Sequence, residues 1–407
     1  MVSVIAFTQQ VLVTLAFALL AHGIAIPNSL DKRDGSGVVT LDFNVVKKPL
    51  NLNATALYPQ KYNKRADIPI GLIDQGASYA STIQVGSNNQ QITVDIDTGS
   101  SDLWFVASDA TCTNPQVNCK AEGTYDSSSS SSYKNLGDSF QIVYGDQTSS
   151  QGTWSEDTVK IGAATIKNQK FADVDTTSVS EGILGIGYKS GESLTDEYGF
   201  PTTSSYDNVP LSLKNQGIIK TNAYSLYLNE PGAQQTGQLI FGGIDHAKYS
   251  GNLISEAVTL QDRLTIKANS INYNGNTQSL GDVLLDSGTT LTYLPYDTAQ
   301  ALASQVGAYY IPNPLGGGNW FIDCDANTNG TVVYSFPNGA SISVPLSEFV
   351  FNSGSFCLWG IQSISGLDFS ILGDNFLRHA YSVFNLDDNT ISIAQVKYTS
   401  DSNIIAI

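Results

Sequence analysis

The chain has 407 residues, 41% hydrophobic and 14% charged, with 20 Lys+Arg against 37 Asp+Glu and a net charge of −17. Such a polyanion has no electrostatic footprint for nucleic acid or for an anionic membrane surface, and few charges with ample aromatics exclude intrinsic disorder. Three His and four Cys leave little material for histidine or thiol chemistry.

From the N-terminus, residues 11–21 (VLVTLAFALLA) form an apolar, uncharged core of signal-peptide length. The core is too short to span a bilayer, and small residues place a cut after Ala25, giving a signal peptide over 1–25. Two dibasic pairs follow, Lys32-Arg33 and Lys64-Arg65. A kexin-like protease cutting after Arg65 would define a pro-segment over 26–65. That cut removes seven basic and three acidic residues and leaves 13 basic and 34 acidic ones, a net charge of −21. A basic leader beside an acidic body suggests an electrostatic cover.

Beyond residue 65 the pattern is mostly β. Runs rich in branched and aromatic residues at 79–85, 91–96, 140–144, 239–241, 264–268, 341–344 and 391–396 are punctuated by Gly, Asn, Asp and Ser. Helical spacing is confined to 211–216 and 296–307, and the serine run 127–132 reads as a surface turn or loop. Cys112, Cys119, Cys324 and Cys357 allow three pairings. The sequence-local one, 112–119 with 324–357, closes each loop within one half of the chain; loop entropy gives roughly 2.5 and 3.7 kcal/mol. No CxxC occurs and His246 and His379 stand alone, so a zinc site is not expected. Asn329-Gly330-Thr331 is a glycan acceptor, as is Asn53-Ala54-Thr55 in the leader. No segment of the body reads as a membrane span, and residues 401–407 lack the tail that a lipid anchor needs.

An internal repeat carries the most information. One copy reads Val94-Asp95-Ile96-Asp97-Thr98-Gly99-Ser100-Ser101-Asp102-Leu103-Trp104, the other Val283-Leu284-Leu285-Asp286-Ser287-Gly288-Thr289-Thr290-Leu291-Thr292-Tyr293. Each is a strand running into Asp, hydroxyl, Gly, hydroxyl, hydroxyl. Ile183-Leu184-Gly185 and Ile371-Leu372-Gly373 recur 88 and 87 residues after the respective Asp, counted to the glycines. The body therefore reads as two related β lobes, 66–250 with Asp97 and 251–407 with Asp286, each presenting one carboxylate.

The chemistry explains the residue types. Backbone N–H groups and hydroxyls on such a turn can hold a carboxylate rigidly, and Gly lets the backbone pass close to it. Two carboxylates brought together by a pseudo-two-fold axis cannot both ionise and titrate as a unit. One member then serves as base toward a water while the other, protonated, polarises a carbonyl. Amide hydrolysis by this route needs no His, Ser, Cys or metal.

Asp97-Thr98-Gly99-Ser100 and Asp286-Ser287-Gly288-Thr289 resemble the motifs of pepsin-family aspartic proteases. Residues 376–381 (FLRHAY) and the spacing of the Cys loops are most similar to the candidapepsins, the secreted aspartic proteases of yeasts. The resemblance spans 66–407 and extends to the leader. It implies an all-β bilobal fold, and an extracellular, zymogen-derived acid endopeptidase that acts on polypeptides as a monomer without a cofactor. Asp97 and Asp286 would be catalytic, Thr98 and Ser287 would bond across the lobe interface, and Ser100 and Thr289 would support the outer carboxylate oxygens. Gly99, Gly288 and Thr290 would line the substrate wall. Tyr144, Gly145 and Asp146 resemble a flap hairpin over bound peptide, with Trp104 behind the tyrosine. Gln147 departs from that pattern, where a second flap Gly is common. Two other classes fit less well. A glycosidase pair has no need of symmetric turns, and a non-catalytic peptide-binding homologue on the same scaffold would be expected to have lost part of one turn.

Overall fold

Branched and aromatic residues alternating with polar ones build strands with one buried face, and such faces meet as a core. The computed structural model describes residues 37–47, 77–145, 148–195, 200–230, 237–312, 317–352, 356–364 and 366–407. Among these are 28 strands and three short α-helices, the mainly β architecture read from the sequence. The predicted signal peptide, the Lys32-Arg33 and Lys64-Arg65 pairs, Asn53, Asp146 and Gln147 lie outside the described residues. No helix among the described residues is long and apolar enough to cross a membrane.

The largest sheet has thirteen strands. From one edge it runs Tyr249–Ala257, Thr390–Val396, Ala380–Asn385, Ala223–Tyr227 and Gly237–Phe241, so the end of the chain joins its middle in one ladder. It continues through Val39–Lys47, Ala77–Val85, Gln90–Asp97, Gly182–Gly185, Leu103–Cys112, Ala164–Thr177, Ser149–Ile161 and Lys134–Val143. The C-terminal half adds smaller sheets, one of which holds Asp282–Leu285 and Ser370–Leu372 side by side. Helix Tyr296–Val306 buries Ala299, Leu302 and Ala303 and stops at Gly307, whose left-handed backbone (φ 75°) closes the last turn. The second helix, Val209–Asn215, starts two residues before the stretch marked by helical spacing.

Strand Val39–Lys47 lies in the segment expected from the sequence to be a pro-segment, and it occupies the middle of this sheet. Val39 to Phe43 pair with Gly237–Phe241, and Asn44 to Lys47 pair with residues 77–80. Val39, Leu41 and Phe43 are buried while Asp42 and Asn44 face out. Phe43 meets the Tyr79 ring edge-on at 5.5 Å and lies against Gly237, where any Cβ would collide with it. This strand docks through a backbone ladder and a period-two apolar face.

The serine run does more than cover a surface. Ser127–Ser129 forms a short 3-10 turn capped by Asp126, while the hydroxyls of Ser130 and Ser132 donate to Asp157 at 2.6 and 2.5 Å. Tyr125 adds a third donor at 2.6 Å, and Asp157 is 1% exposed. Small hydroxyl side chains here satisfy a buried carboxylate whose ionised form would otherwise be very costly. Disulfides join Cys112 to Cys119 and Cys324 to Cys357.

Candidate active site

Two strands, Gln90–Asp97 and Asp282–Leu285, run into the two Asp turns. Each is flanked by a parallel strand from the second repeated element. Asp97 stands opposite Gly185, and Leu285 opposite Leu372. Ile186 N–H donates to the Asp97 carbonyl at 2.9 Å, and Asp286 N–H donates to the Leu372 carbonyl at 3.1 Å. The two repeated motifs are therefore one device used twice, a turn and the strand that backs it.

The turns match donor for donor. Gly99 N–H donates to Asp97 Oδ1 at 2.7 Å, and the Ser100 hydroxyl donates to Asp97 Oδ2. Gly288 N–H donates to Asp286 Oδ1 at 2.9 Å, and the Thr289 hydroxyl donates to Asp286 Oδ2 at 2.6 Å. Between them the hydroxyls of Thr98 and Ser287 form a reciprocal grip. Thr98 Oγ1 donates to the Leu285 carbonyl at 2.8 Å and accepts from Ser287 N–H at 2.9 Å. Ser287 Oγ donates to the Ile96 carbonyl at 2.7 Å and accepts from Thr98 N–H at 3.1 Å. All four bonds join residues at least 187 positions apart and buried from water, where each is costly to leave unmade.

The grip sets the approach of the carboxylates. A Cβ placed on Gly99 would lie 2.5 Å from Asp286 Oδ1, and one on Gly288 would lie 2.5 Å from Asp97 Oδ1. Only glycine fits either place, because each turn's backbone lies against the opposite carboxylate. Asp97 is 6% exposed and Asp286 8%. Burial raises both above the usual carboxylate range; for Asp97 the charge of Asp286 adds to it, while the hydroxyl and N–H donors pull the other way. The pair retains one proton where two isolated aspartates would have none.

Tyr144 and Gly145 sit at the end of the hairpin formed by Lys134–Val143 and Ser149–Ile161. Tyr144 N–H donates to the Thr148 carbonyl at 2.9 Å, and the buried Trp104 donates from Nε1 to Tyr144 Oη at 2.7 Å. The strand that leaves the Asp97 turn thereby fixes the hairpin's tyrosine. Thr290 is buried beside the second turn, with its carbonyl accepting from Asn375 N–H at 3.2 Å. Asn329 is exposed, His246 is exposed beside Tyr249, and His379 is buried against Tyr398 and Glu348.

Residues behind the turns escaped the sequence reading. Asn375 is fully buried, donates to the Gly360 carbonyl at 2.8 Å and accepts from the Thr292 hydroxyl at 2.8 Å. Asp102, five residues after Asp97, is 1% exposed and accepts from the Tyr206 hydroxyl at 2.6 Å. Asp102 lies within the first copy of the repeat and Asn375 two residues past Gly373, and that placement is the available signal.

Residues 78–396 match the family model described as eukaryotic aspartyl protease. The chain is 49% identical to Candidapepsin-2 of Candida parapsilosis over 96% of its length and 92% of that protein. It is 49% identical to Secreted aspartic protease 8 of Candida albicans, covering 99% of both chains. Identity to Candidapepsin of Candida tropicalis is 48% over the whole of both chains.

Proposed function

The chain belongs to the eukaryotic aspartyl protease family, and from that premise we propose that Asp97 and Asp286 are its catalytic pair and that residues 26–65 keep it as a zymogen. It is a secreted aspartic endopeptidase that hydrolyses peptide bonds of proteins under acidic conditions. The observation that carries the assignment is the matched, mutually gripped pair of turns, which holds two buried carboxylates against each other's backbone.

The cleavage step follows from one proton shared by two acids. The ionised member takes a proton from water as the water oxygen attacks the peptide carbonyl carbon. The protonated member gives its proton to the carbonyl oxygen, and a neutral tetrahedral diol results. A proton from the pair then passes to the amide nitrogen while a diol hydroxyl returns one to the pair. The C–N bond breaks, leaving a carboxylic acid and an amine. Gly99, Gly288 and Thr290 line the wall along which the peptide lies, and Tyr144 with Gly145 and Asp146 closes over it.

Residues 1–25 direct secretion, and a kexin-like protease cuts after Lys64-Arg65. The body comprises a lobe over 66–250 and a lobe over 251–407, acts as a monomer, and carries a glycan on Asn329. A cut at Arg65 leaves strand Val39–Lys47 held by its ladder and by Phe43, so the leader stays bound after cleavage until the sheet releases it.

The test is Asp97→Asn and Asp286→Asn, each checked for native folding by circular dichroism. Each is expected to lose at least ~10³-fold in kcat/KM on a peptide substrate. A folded variant that retains wild-type turnover overturns the assignment, and a folded wild-type chain that binds peptide without cleaving it marks a binding protein.

A further inference from the structure

Behind the Asp97 turn lies a second pair of buried acids that the cleavage step does not use. Asp102 is 1% exposed and Glu192 5%. Asp102 Oδ1 accepts from the Tyr206 hydroxyl at 2.6 Å, its Oδ2 from Ser193 N–H at 3.0 Å, and its carbonyl from Gly185 N–H at 3.0 Å. Glu192 Oε2 accepts from the Ser205 hydroxyl at 2.9 Å and from Tyr206 N–H at 3.2 Å, while Oε1 is buried with no hydrogen-bond partner. Tyr206 thus bridges the two, its hydroxyl on one carboxyl and its backbone on the other.

The surroundings offset the two charges only in part, since Lys170 acts on Asp102 and Lys189 on Glu192 without pairing with either. Among the described residues neither acid forms a salt bridge. Lys189 is paired with Asp207 at 3.0 Å. The Lys170 ammonium lies over the Trp154 and Tyr206 rings at 4.8 and 5.0 Å and donates to Thr203, whose hydroxyl in turn donates to Asp138. Glu156 is occupied by Lys134 at 3.1 Å. Two ionised carboxylates in such a place cost far more than one, so the site keeps at least one proton while it stays assembled. Burial pushes Glu192 up to about 7, with the Asp102 charge adding to it, and burial raises Asp102 against the Tyr206 and Ser193 donors.

The position gives this pair leverage on the active site. Asp102 is two residues from Ser100, which holds Asp97 Oδ2. Ser101 between them donates to the Tyr188 carbonyl at 2.6 Å, and Gly187 N–H donates to the Ser100 carbonyl at 2.8 Å. The stretch bearing Tyr188, Glu192 and Ser193 is therefore packed on the back of the first turn. We propose that Asp102 and Glu192 are positioning residues, a protonated two-carboxyl latch that clamps this stretch behind Asp97 and opens when its last proton is lost, setting the upper pH limit of the enzyme.

The direction follows from linkage. An acid whose folded pKa is raised binds a proton that the unfolded chain releases near pH 4.5. Its contribution to stability is present below that pH, falls as pH rises toward about 7, and is gone above it. The catalytic pair shifts in the same direction, so the experiment must separate the two.

The activity readout rests on the catalytic assignment above, whereas the unfolding readout does not. Glu192→Gln, Asp102→Asn and the double variant are made in the full chain and in the processed enzyme. Samples held across pH 5–9 are returned to acid and assayed, each relative to its own acid activity, and thermal unfolding is followed over the same range. Removing an ionisable latch carboxyl is expected to move the half-inactivation pH up by about one unit and to flatten the fall of Tm above pH 5. Tyr206→Phe, which removes a donor from the latch, is expected to move it down. In an Asp97→Asn/Asp286→Asn background, where the catalytic pair no longer titrates, the fall of Tm between pH 5 and 7 is expected to persist. Its disappearance there, or an unchanged inactivation pH in folded Glu192→Gln and Asp102→Asn, overturns the latch. If neither carboxyl variant folds, the Asp97→Asn/Asp286→Asn background alone decides.

Discussion

The two Asp turns are alike in front and unlike behind. In front, each carboxylate has a glycine N–H on one oxygen and a hydroxyl on the other, and the Thr98 and Ser287 hydroxyls exchange the same two bonds. Behind, the first turn rests on Asp102, Tyr206 and Glu192, whereas the place of Asp102 is taken in the second turn by buried Leu291. There the support comes from Thr292, Asn375 and the Gly360 carbonyl. Catalysis constrains the front to symmetry. The back is free to differ, and it differs in which side chains carry the support, two carboxyls and a tyrosine behind the first turn against Thr292 and an amide behind the second.

The largest expected effect tests the symmetric front. Thr98→Ala and Ser287→Ala each strip two buried bonds and orphan a backbone N–H and a carbonyl, about 3–4 kcal/mol apiece. Denaturant unfolding should find the two losses within about 1 kcal/mol of each other; a clear inequality breaks the symmetry. Next in size, Asn375→Leu takes the acceptor from the Thr292 hydroxyl and one of two donors from the Gly360 carbonyl, which keeps Thr292 N–H, about 1–2 kcal/mol. That loss should be the same at pH 4 and pH 7, because nothing in the Thr292–Asn375–Gly360 set ionises. A loss that grows with pH would mean the second turn also rests on a titrating group. The smallest effect belongs to the hairpin. Tyr144→Phe removes the acceptor of Trp104 Nε1 at a partly wet site, worth about 1 kcal/mol, and should lower kcat/KM about five-fold with little change in Tm.

Much of this site was legible because its determinants are local. Each Asp lies within three residues of the groups that hold its carboxylate, so a repeated five-residue pattern contains most of the geometry. The strands at 91–96 and 391–396 and the helix at 296–307 were visible for the same reason, since side-chain period is a property of neighbours. What was missed depends on distant partners. Tyr206 reaches Asp102 across 104 positions, and Arg378 reaches Tyr79 across 299, so neither pairing leaves a pattern in sequence. Strand Val39–Lys47 is a different kind of miss. Its alternation of Val39, Leu41 and Phe43 is a local pattern, but it sits in a segment whose charged residues are mostly lysine and arginine.

That strand has a consequence for solubility. Its residues 39–43 pair with Gly237–Phe241 and its residues 44–47 with residues 77–80, so its departure would bare an edge on each of those two strands. Each edge would present unpaired N–H and carbonyl groups, and such a seam invites strands from other molecules. Under the zymogen assignment proposed above, losing this strand would bring activity and an aggregation hazard in the same event. Whatever next covers those two edges decides whether the enzyme persists as a single molecule.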